Sequence, residues 1–367
     1  MHELTIVPPW LAPDLASLTA MGDKTSHALL LYGQSGIGKR RLGRALARAL
    51  LCESIDIARR EFGGCGECPG CLWFDQGSHP DFRRLVPEAV AVAEGFDNAD
   101  DAVDDGSDEA ADAEPAAPRS KKKASKEIKV DQVRALQAFL SIATHRSRYR
   151  VVLMYPPETL NDVAANALLK MLEEPPSRTV FILVSDHLGR LPATIVSRCH
   201  KVFVATPETS VAAAWLATRE VVDPAALLAL SGGAPYTALA FGEDEAELAA
   251  HAELVAFLQH PAIDTAMATA ESFGKSAAAP LIRWIQQWVA DCIGMRLAGR
   301  IRYHPTQSKR IAGLAGAARI DALMALMQRL DAMRRTMDHP LNTRLLLEGL
   351  LIAYAEALPP AADRRPS

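Results

Sequence analysis

Eight residues constrain this chain more than any others: Gly33-Gln34-Ser35-Gly36-Ile37-Gly38-Lys39-Arg40, spaced G-x4-G-K. They follow a short apolar run at 27–32 and precede a segment in which Leu42, Ala45, Leu46, Ala49 and Leu50 recur at helical spacing. A strand, a glycine-rich turn and a helix in that order make a phosphate-binding loop. The glycines let backbone N–H groups turn inward around phosphates at a helix N-terminus, and Lys39 can reach the terminal phosphates. Gly33, Gly36, Gly38, Lys39 and Arg40 are therefore the candidate nucleotide-binding residues. The context predicts a parallel α/β sheet.

Two parts of a hydrolytic site are missing. The residue after the lysine, normally Ser or Thr holding Mg²⁺, is Arg40, whose guanidinium has no lone pair to offer a metal. The apolar run at 151–154 leads into Tyr155-Pro156-Pro157-Glu158, with no carboxylate at its first two positions to hold a metal or polarise water. Binding of ATP or ADP stays open, and hydrolysis is not expected; a divergent active site using Glu158 is the other reading. Arg40, Arg44 and Arg48 share one helix face, read either as a solvated surface or as a phosphate-facing stripe.

Cys52, Cys65, Cys68 and Cys71 are spaced C-x12-C-x2-C-x2-C, and Gly and Pro residues between them permit sharp turns. Four thiolates at such spacing suit a tetrahedral structural Zn²⁺ with no open position for catalysis. Cys52 is the outlying ligand, and a redox Cys-x-x-Cys pair is the alternative. Cys199 and Cys292, without partners at ligand spacing, read as buried thiols.

Charge is unevenly spread. The chain has 44 acidic and 40 basic residues, but eleven acids lie between 88 and 114, leaving 33 acids against 40 bases elsewhere. A mildly basic remainder permits contact with a polyanion. The segment from about 88 to 126 lacks an apolar period and cannot bury enough surface to offset its ordering entropy, so it reads as a disordered insertion. No apolar run is long enough to span a bilayer and no charged-then-apolar leader precedes the first segments, so a cytoplasmic chain without membrane contact is expected.

Strand signals recur at 149–154 and 179–184, and a helical pattern at 164–172 stops at Pro175-Pro176. Beyond Thr206 the chain turns Ala/Leu-rich and helical. Three domains are expected: 1–206, an α/β phosphate-loop domain containing the cysteine module (52–71) and the insertion (about 88–126); 207–242, a small helical lid; and 243–360, a helical domain. Arg300, Arg302, Lys309 and Arg310 form its most basic patch, read as a solvated loop, with a DNA contact as the alternative.

Asn166-Ala167-Leu168-Leu169-Lys170-Met171-Leu172-Glu173-Glu174-Pro175-Pro176 resembles the NALLKxLEEPP signature of AAA+ clamp-loader subunits. Leu191-Pro192-Ala193-Thr194-Ile195-Val196-Ser197-Arg198-Cys199 is similar to the LPxTIxSRC element of the same family. Pro9-Trp10-Leu11, Ser78-His79-Pro80-Asp81-Phe82 and His339-Pro340-Leu341-Asn342 extend the likeness over nearly the whole chain except the insertion. The resemblance implies a P-loop AAA+ domain, a lid and a helical collar that joins a ring of five subunits. It implies gamma/tau and delta subunits as partners, and through them the sliding clamp and primed DNA of the DNA polymerase III holoenzyme. In the family the SRC arginine, here Arg198, reaches the γ-phosphate of ATP held by a neighbour. The gamma/tau type keeps an Asp-Glu after the second strand and a hydroxyl after the lysine, and this chain departs at both. Nor does Ser231-Gly232-Gly233-Ala234-Pro235-Tyr236 carry the second sensing arginine. The expected role is a subunit inactive as an ATPase by itself, lending Arg198 in trans. The alternatives are an active gamma/tau-type ATPase and an unrelated zinc-dependent nucleic-acid-binding module.

Overall fold

Three apolar runs become the centre of one parallel sheet. In the computed structural model, which describes residues 7–22, 25–56, 62–95, 124–141, 149–274, 277–335 and 343–358, the strands are β1 (Ala28–Tyr32), β2 (Phe82–Leu85), β3 (Arg150–Met154), β4 (Thr179–Ser185) and β5 (His200–Phe203). Their order is β2-β3-β4-β1-β5, and every pairing is parallel. Helices are α1 (Ala12–Ala20), α2 (Lys39–Leu51), α3 (Pro69–Gln76), α4 (Glu88–Ala93), α5 (Val130–Ser141), α6 (Asp162–Glu173) and α7 (Ala193–Arg198). A parallel sheet needs cover on both faces, which explains why the interiors of its central strands are continuous apolar runs rather than alternating.

The pleat sorts those side chains between two helical layers. Leu30, Val152, Met154, Phe181 and Leu183 pack in one cluster with Val133, Leu136 and Leu140 of α5 and Leu168 and Met171 of α6. On the other face α2 lies close: a Cβ on Gly43 would come within 3.1 Å of Leu153 and Val184 and 3.4 Å of Ile182. Asn161 starts α6 by accepting the Ala164 N–H at 2.8 Å. β2 and β5, at the two edges, are short and polar, with Phe-Arg-Arg-Leu and His-Lys-Val-Phe sequences.

The chain divides into two compact units, 1–206 and 207–367. The second is all-helical: α8 (Thr209–Ala217), α9 (Pro224–Leu230), α10 (Pro235–Glu243), α11 (Glu245–Gln259), α12 (Ile263–Ser272), α13 (Ala278–Ala298), α14 (Ser308–Ala317), α15 (Ile320–Arg335) and α16 (Thr343–Glu356). An α/β region followed by an all-α region is the class expected from the sequence. The second unit's core gathers on α13, where the Trp288 indole donates to Tyr354 Oη (2.8 Å), which donates in turn to the Leu258 carbonyl (3.0 Å). Leu230 and Phe241, from the stretch expected to be the lid, join this same buried cluster. Arg310 is not free in solvent as expected: its Nε donates to the Gln259 carbonyl at 2.7 Å, at the end of α11. Among the described residues no single helix is long and apolar enough to cross a membrane.

The stretch expected to be a disordered insertion is ordered where it begins. Residues 88–93 form α4, with Ala91 buried and the Ala89 N–H bonded to the Ser125 carbonyl at 2.9 Å. Glu88 accepts from the Ser125 N–H (3.0 Å) and pairs with Lys129 (2.5 Å), closing the base of the segment. A helix of six residues is too short to show a helical period, so only its tertiary partners reveal it. Residues 96–123, and the His339-Pro340-Leu341-Asn342 element, lie outside the described residues.

Candidate functional site

The phosphate loop leaves β1 at the carboxyl edge of the sheet, beside β4, because Tyr32 is in register with Ser185. Gly33 must be glycine: its φ is +150°, and a Cβ there would lie 2.4 Å from the Val204 carbonyl oxygen. Gly38, at φ +100°, is the N-cap of α2, so no side chain caps that helix end. The Trp10 indole donates to the Ile37 carbonyl at 2.9 Å and braces the loop from the N-terminal segment.

Lys39 is 3% exposed, and its ammonium is fully engaged within the chain. Nζ donates to the carbonyls of Gly33 (2.9 Å) and Gln34 (2.5 Å) and sits 2.6 Å from Asp186 Oδ1. Ser35 Oγ donates to the other Asp186 oxygen at 2.9 Å. Burial works against the Asp186 charge, but the Lys39 bond, its positive charge and Ser35 together hold the carboxyl below its ordinary range. A carboxylate thus takes the contacts with the loop lysine that a phosphate oxygen would take.

Arg40, although exposed, has a second acid beside it. Its guanidinium lies 5.3 Å over the Tyr155 ring and 3.4 Å from Glu94, which also accepts from Tyr155 Oη (2.6 Å) and pairs with Arg84 (3.2 Å). Burial, reinforced by the Glu94 charge, pushes the Tyr155 phenol up, so it stays a donor. Glu158 is turned elsewhere: it accepts from Ser185 Oγ (2.5 Å) and the His187 N–H (2.6 Å). Asp186 and Glu94 were missed in the sequence. Asp186 carried a faint signal, a carboxylate just past the strand that neighbours the phosphate loop; Glu94 sat in the supposed insertion.

The Arg40–Arg44–Arg48 stripe divides: Arg40 keeps a side chain 54% exposed, while Arg44 and Arg48 fit neither reading. Arg44 and Arg48 are each 7% exposed. Arg44 lies 5.0 Å over the Phe74 ring, and Arg48 forks onto Asp75. These two face the cysteine module, whose α3 covers that side of α2.

That module brings all four predicted cysteines together, every sulfur within 4.8 Å of the others. The outlying Cys52 is included, 3.9 Å from Cys68, while Cys65 and Cys71 are 4.0 Å apart. Metal–sulfur bonds of about 2.3 Å in a tetrahedron set S···S edges of about 3.8 Å, so the sulfurs fit such a centre. Backbone N–H groups of Glu53 and Cys71 point at Cys68, that of Cys65 at Cys52, and that of Cys68 at Cys65, at 3.3–3.4 Å. A hydrogen bond from Cys71, helped by that Cys65 N–H, outweighs burial and brings the Cys52 thiol down to about 4; the same pairing pushes Cys71 up. Cys199 and Cys292 are buried, and burial pushes them up to about 11 and about 12. They are inert thiols.

Arg198 closes α7. Its guanidinium pairs with Glu173 at the end of α6 and donates to the Thr194 carbonyl at 2.9 Å, leaving the side chain 34% exposed. It is not brought to this chain's own phosphate loop by any contact among the described residues. The Ser231–Tyr236 turn holds Gly232 and Gly233 at positive φ before Pro235 opens α10.

A family model described as DNA polymerase III, delta subunit, matches residues 14–208. The DNA polymerase III subunit delta′ of Pseudomonas aeruginosa is 34% identical over 351 residues, covering 90% of this chain and 92% of that protein. The subunit delta′ of Escherichia coli is 34% identical over 237 residues, 63% of this chain and 60% of its own length. The E. coli subunit tau is 29% identical over 187 residues, half of this chain and 23% of tau. With the P-loop sheet, the helical second unit and the cysteine module in place, these likenesses converge: the chain belongs to the delta-prime family of DNA polymerase III subunits.

Proposed function

We propose that this chain is the hydrolysis-deficient AAA+ subunit of a sliding-clamp loader and supplies Arg198 to an ATP site on a neighbouring gamma/tau subunit. The observation that carries this reading is the contrast between its cations. Lys39, which would meet the phosphates of a nucleotide held by this chain, is buried and matched by Asp186 at 2.6 Å. No carboxylate follows β3 to hold Mg²⁺, since Glu158 is bonded to Ser185 and His187. Arg198 instead stands at a helix end with a single exposed acidic partner.

A guanidinium there is always protonated and planar, and in reach of a neighbour's γ-phosphate it would stabilise the charge spread over the transferring group. In this reading residues 1–206 are the AAA+ domain, 207–242 the lid and 243–360 the collar of a five-subunit ring. Its partners are gamma/tau and delta, and the clamp and primed DNA are reached through the assembly. The chain is inactive alone and works in the cytoplasm.

Cys52, Cys65, Cys68 and Cys71 would hold a structural Zn²⁺, tying the end of α2 to α3. Metal analysis of purified chain checks this, with about one zinc per chain expected.

The decisive experiment is Arg198→Ala in a loader rebuilt from purified subunits. DNA-stimulated ATPase and clamp loading should collapse while the complex still assembles; unchanged turnover would sink the proposal. An active gamma/tau-type enzyme makes the opposite forecast, Mg²⁺-dependent turnover by the isolated chain that disappears on Lys39→Ala.

A further inference from the structure

Arg48 lies one turn before Cys52 on α2, and its guanidinium is spent entirely on the parts of the chain that carry the sulfurs. Nε and Nη2 reach the two Asp75 oxygens at 2.9 and 2.7 Å, while Nη1 donates to the carbonyls of Gly63 (2.9 Å) and Gly64 (3.4 Å). Three segments meet on this one group. Helix α2 ends at Cys52, Gly64 precedes Cys65, and α3 runs from its N-cap Cys68 through Cys71 to Asp75. Cys71 and Asp75 are four residues apart and share a face of α3. A Cβ on Gly64 would stand 2.9 Å from Cys71 Sγ and 3.4 Å from Arg48 Nη1, so the loop is pressed between sulfur and guanidinium.

Charge points the same way. Four thiolates around a divalent cation leave a net charge of about −2, and such a cluster in a half-buried site gains from a fixed cation beside it. Arginine suits the task better than lysine, because only a planar fork can grip a carboxylate with two N–H groups and still donate a third to a carbonyl.

We infer that Arg48 is the positioning residue of the metal module: through Asp75 and the Gly63–Gly64 carbonyls it sets the spacing of the four sulfurs, and it offsets their charge. The inference rests on the zinc reading of the four cysteines, and the test separates the two.

Full-length wild type, Arg48→Met, Arg48→Lys and Asp75→Asn are compared by zinc competition against a chromophoric chelator, with Co²⁺ absorption reporting the ligand field. Leu168→Ala, fully buried on α6 across the sheet from α2, serves as a control that weakens the fold away from the module. Partners of metal ligands typically change affinity by about 10- to 100-fold, and that loss is expected for Arg48→Met. Arg48→Lys, keeping charge but not fork, should fall between it and wild type; Asp75→Asn should weaken binding and broaden the Co²⁺ bands. Leu168→Ala should hold zinc within about twofold of wild type, as a distant site does. Wild-type affinity in Arg48→Met, or an equal loss in Leu168→Ala, overturns the role of Arg48. If Arg48→Met does not fold, wild-type affinity in both Arg48→Lys and Asp75→Asn overturns it as well. Zinc far below one per chain in wild type overturns the metal reading itself, and this inference with it.

Discussion

The phosphate loop and the tip of α7 each carry a cation, and the two differ in what surrounds it. Lys39 is buried, with a carboxylate at 2.6 Å and two carbonyls completing its donors. Arg198 is a third exposed, and its acidic partner Glu173 is nearly half exposed. The motif that names the loop marks Lys39 for phosphate, yet its donors are already taken, and Arg198 is the more exposed of the two. A residue type and a spacing fix what a side chain is capable of, whereas neighbours decide whether that capacity is already used.

The largest expected effect tests this contrast in the assembled loader. Arg198→Ala should lower ATP turnover by about 10³-fold, the scale of an arginine supplied across an interface, while Lys39→Ala in this chain leaves turnover close to wild type. Comparable losses from both would erase the distinction.

Stability should rank the two residues in reverse. Removing Lys39 leaves Asp186 without its counter-charge in a mostly buried site, at a cost of about 3 kcal/mol in chemical denaturation. Removing Arg198 should cost under about 1 kcal/mol, because its pair is exposed and screened.

The pH dependence sharpens the first half of the comparison. Asp186 is held below its ordinary 3.8 in the folded chain. Its contribution is therefore complete above the unfolded value and is lost as pH falls through the lower folded value, where the unfolded chain already binds the proton. Asp186→Asn should remove that part of the acid sensitivity; an unchanged acid limb in unfolding melts would show that the Lys39–Asp186 pair adds nothing. The smallest effect belongs to the other pair: Glu173→Gln should shift stability by no more than about 0.5 kcal/mol, and less at high salt.

Some of this was plain in the sequence and some was not, for identifiable reasons. β1, β3 and β4 were legible because central parallel strands carry uninterrupted apolar runs, here 28–31, 151–154 and 180–184. β2 and β5 were not: Phe-Arg-Arg-Leu and His-Lys-Val-Phe are edge strands, held by one neighbour and by backbone bonds that leave no hydrophobic period. The four cysteines were legible from their spacing. Arg44 and Arg48 were not, since an arginine stripe on an isolated helix looks like a wet surface until α3 is laid over it.

By itself the sequence determined what is written in neighbouring residues. The G-x4-G-K turn, Arg40 in place of a hydroxyl, the missing acid after β3, the C-x2-C-x2-C run and the SRC element all depend on short spacings along the backbone. Only the tertiary structure decided what those groups meet. Because β4 lies next to β1, its end carries Asp186 onto Lys39; because α4 folds back after β2, Glu94 reaches Arg40 and Tyr155; because α3 packs on α2, Arg48 meets Asp75 instead of water. Such pairings join residues far apart in the chain, so they follow from sheet order and helix packing, which no local spacing encodes.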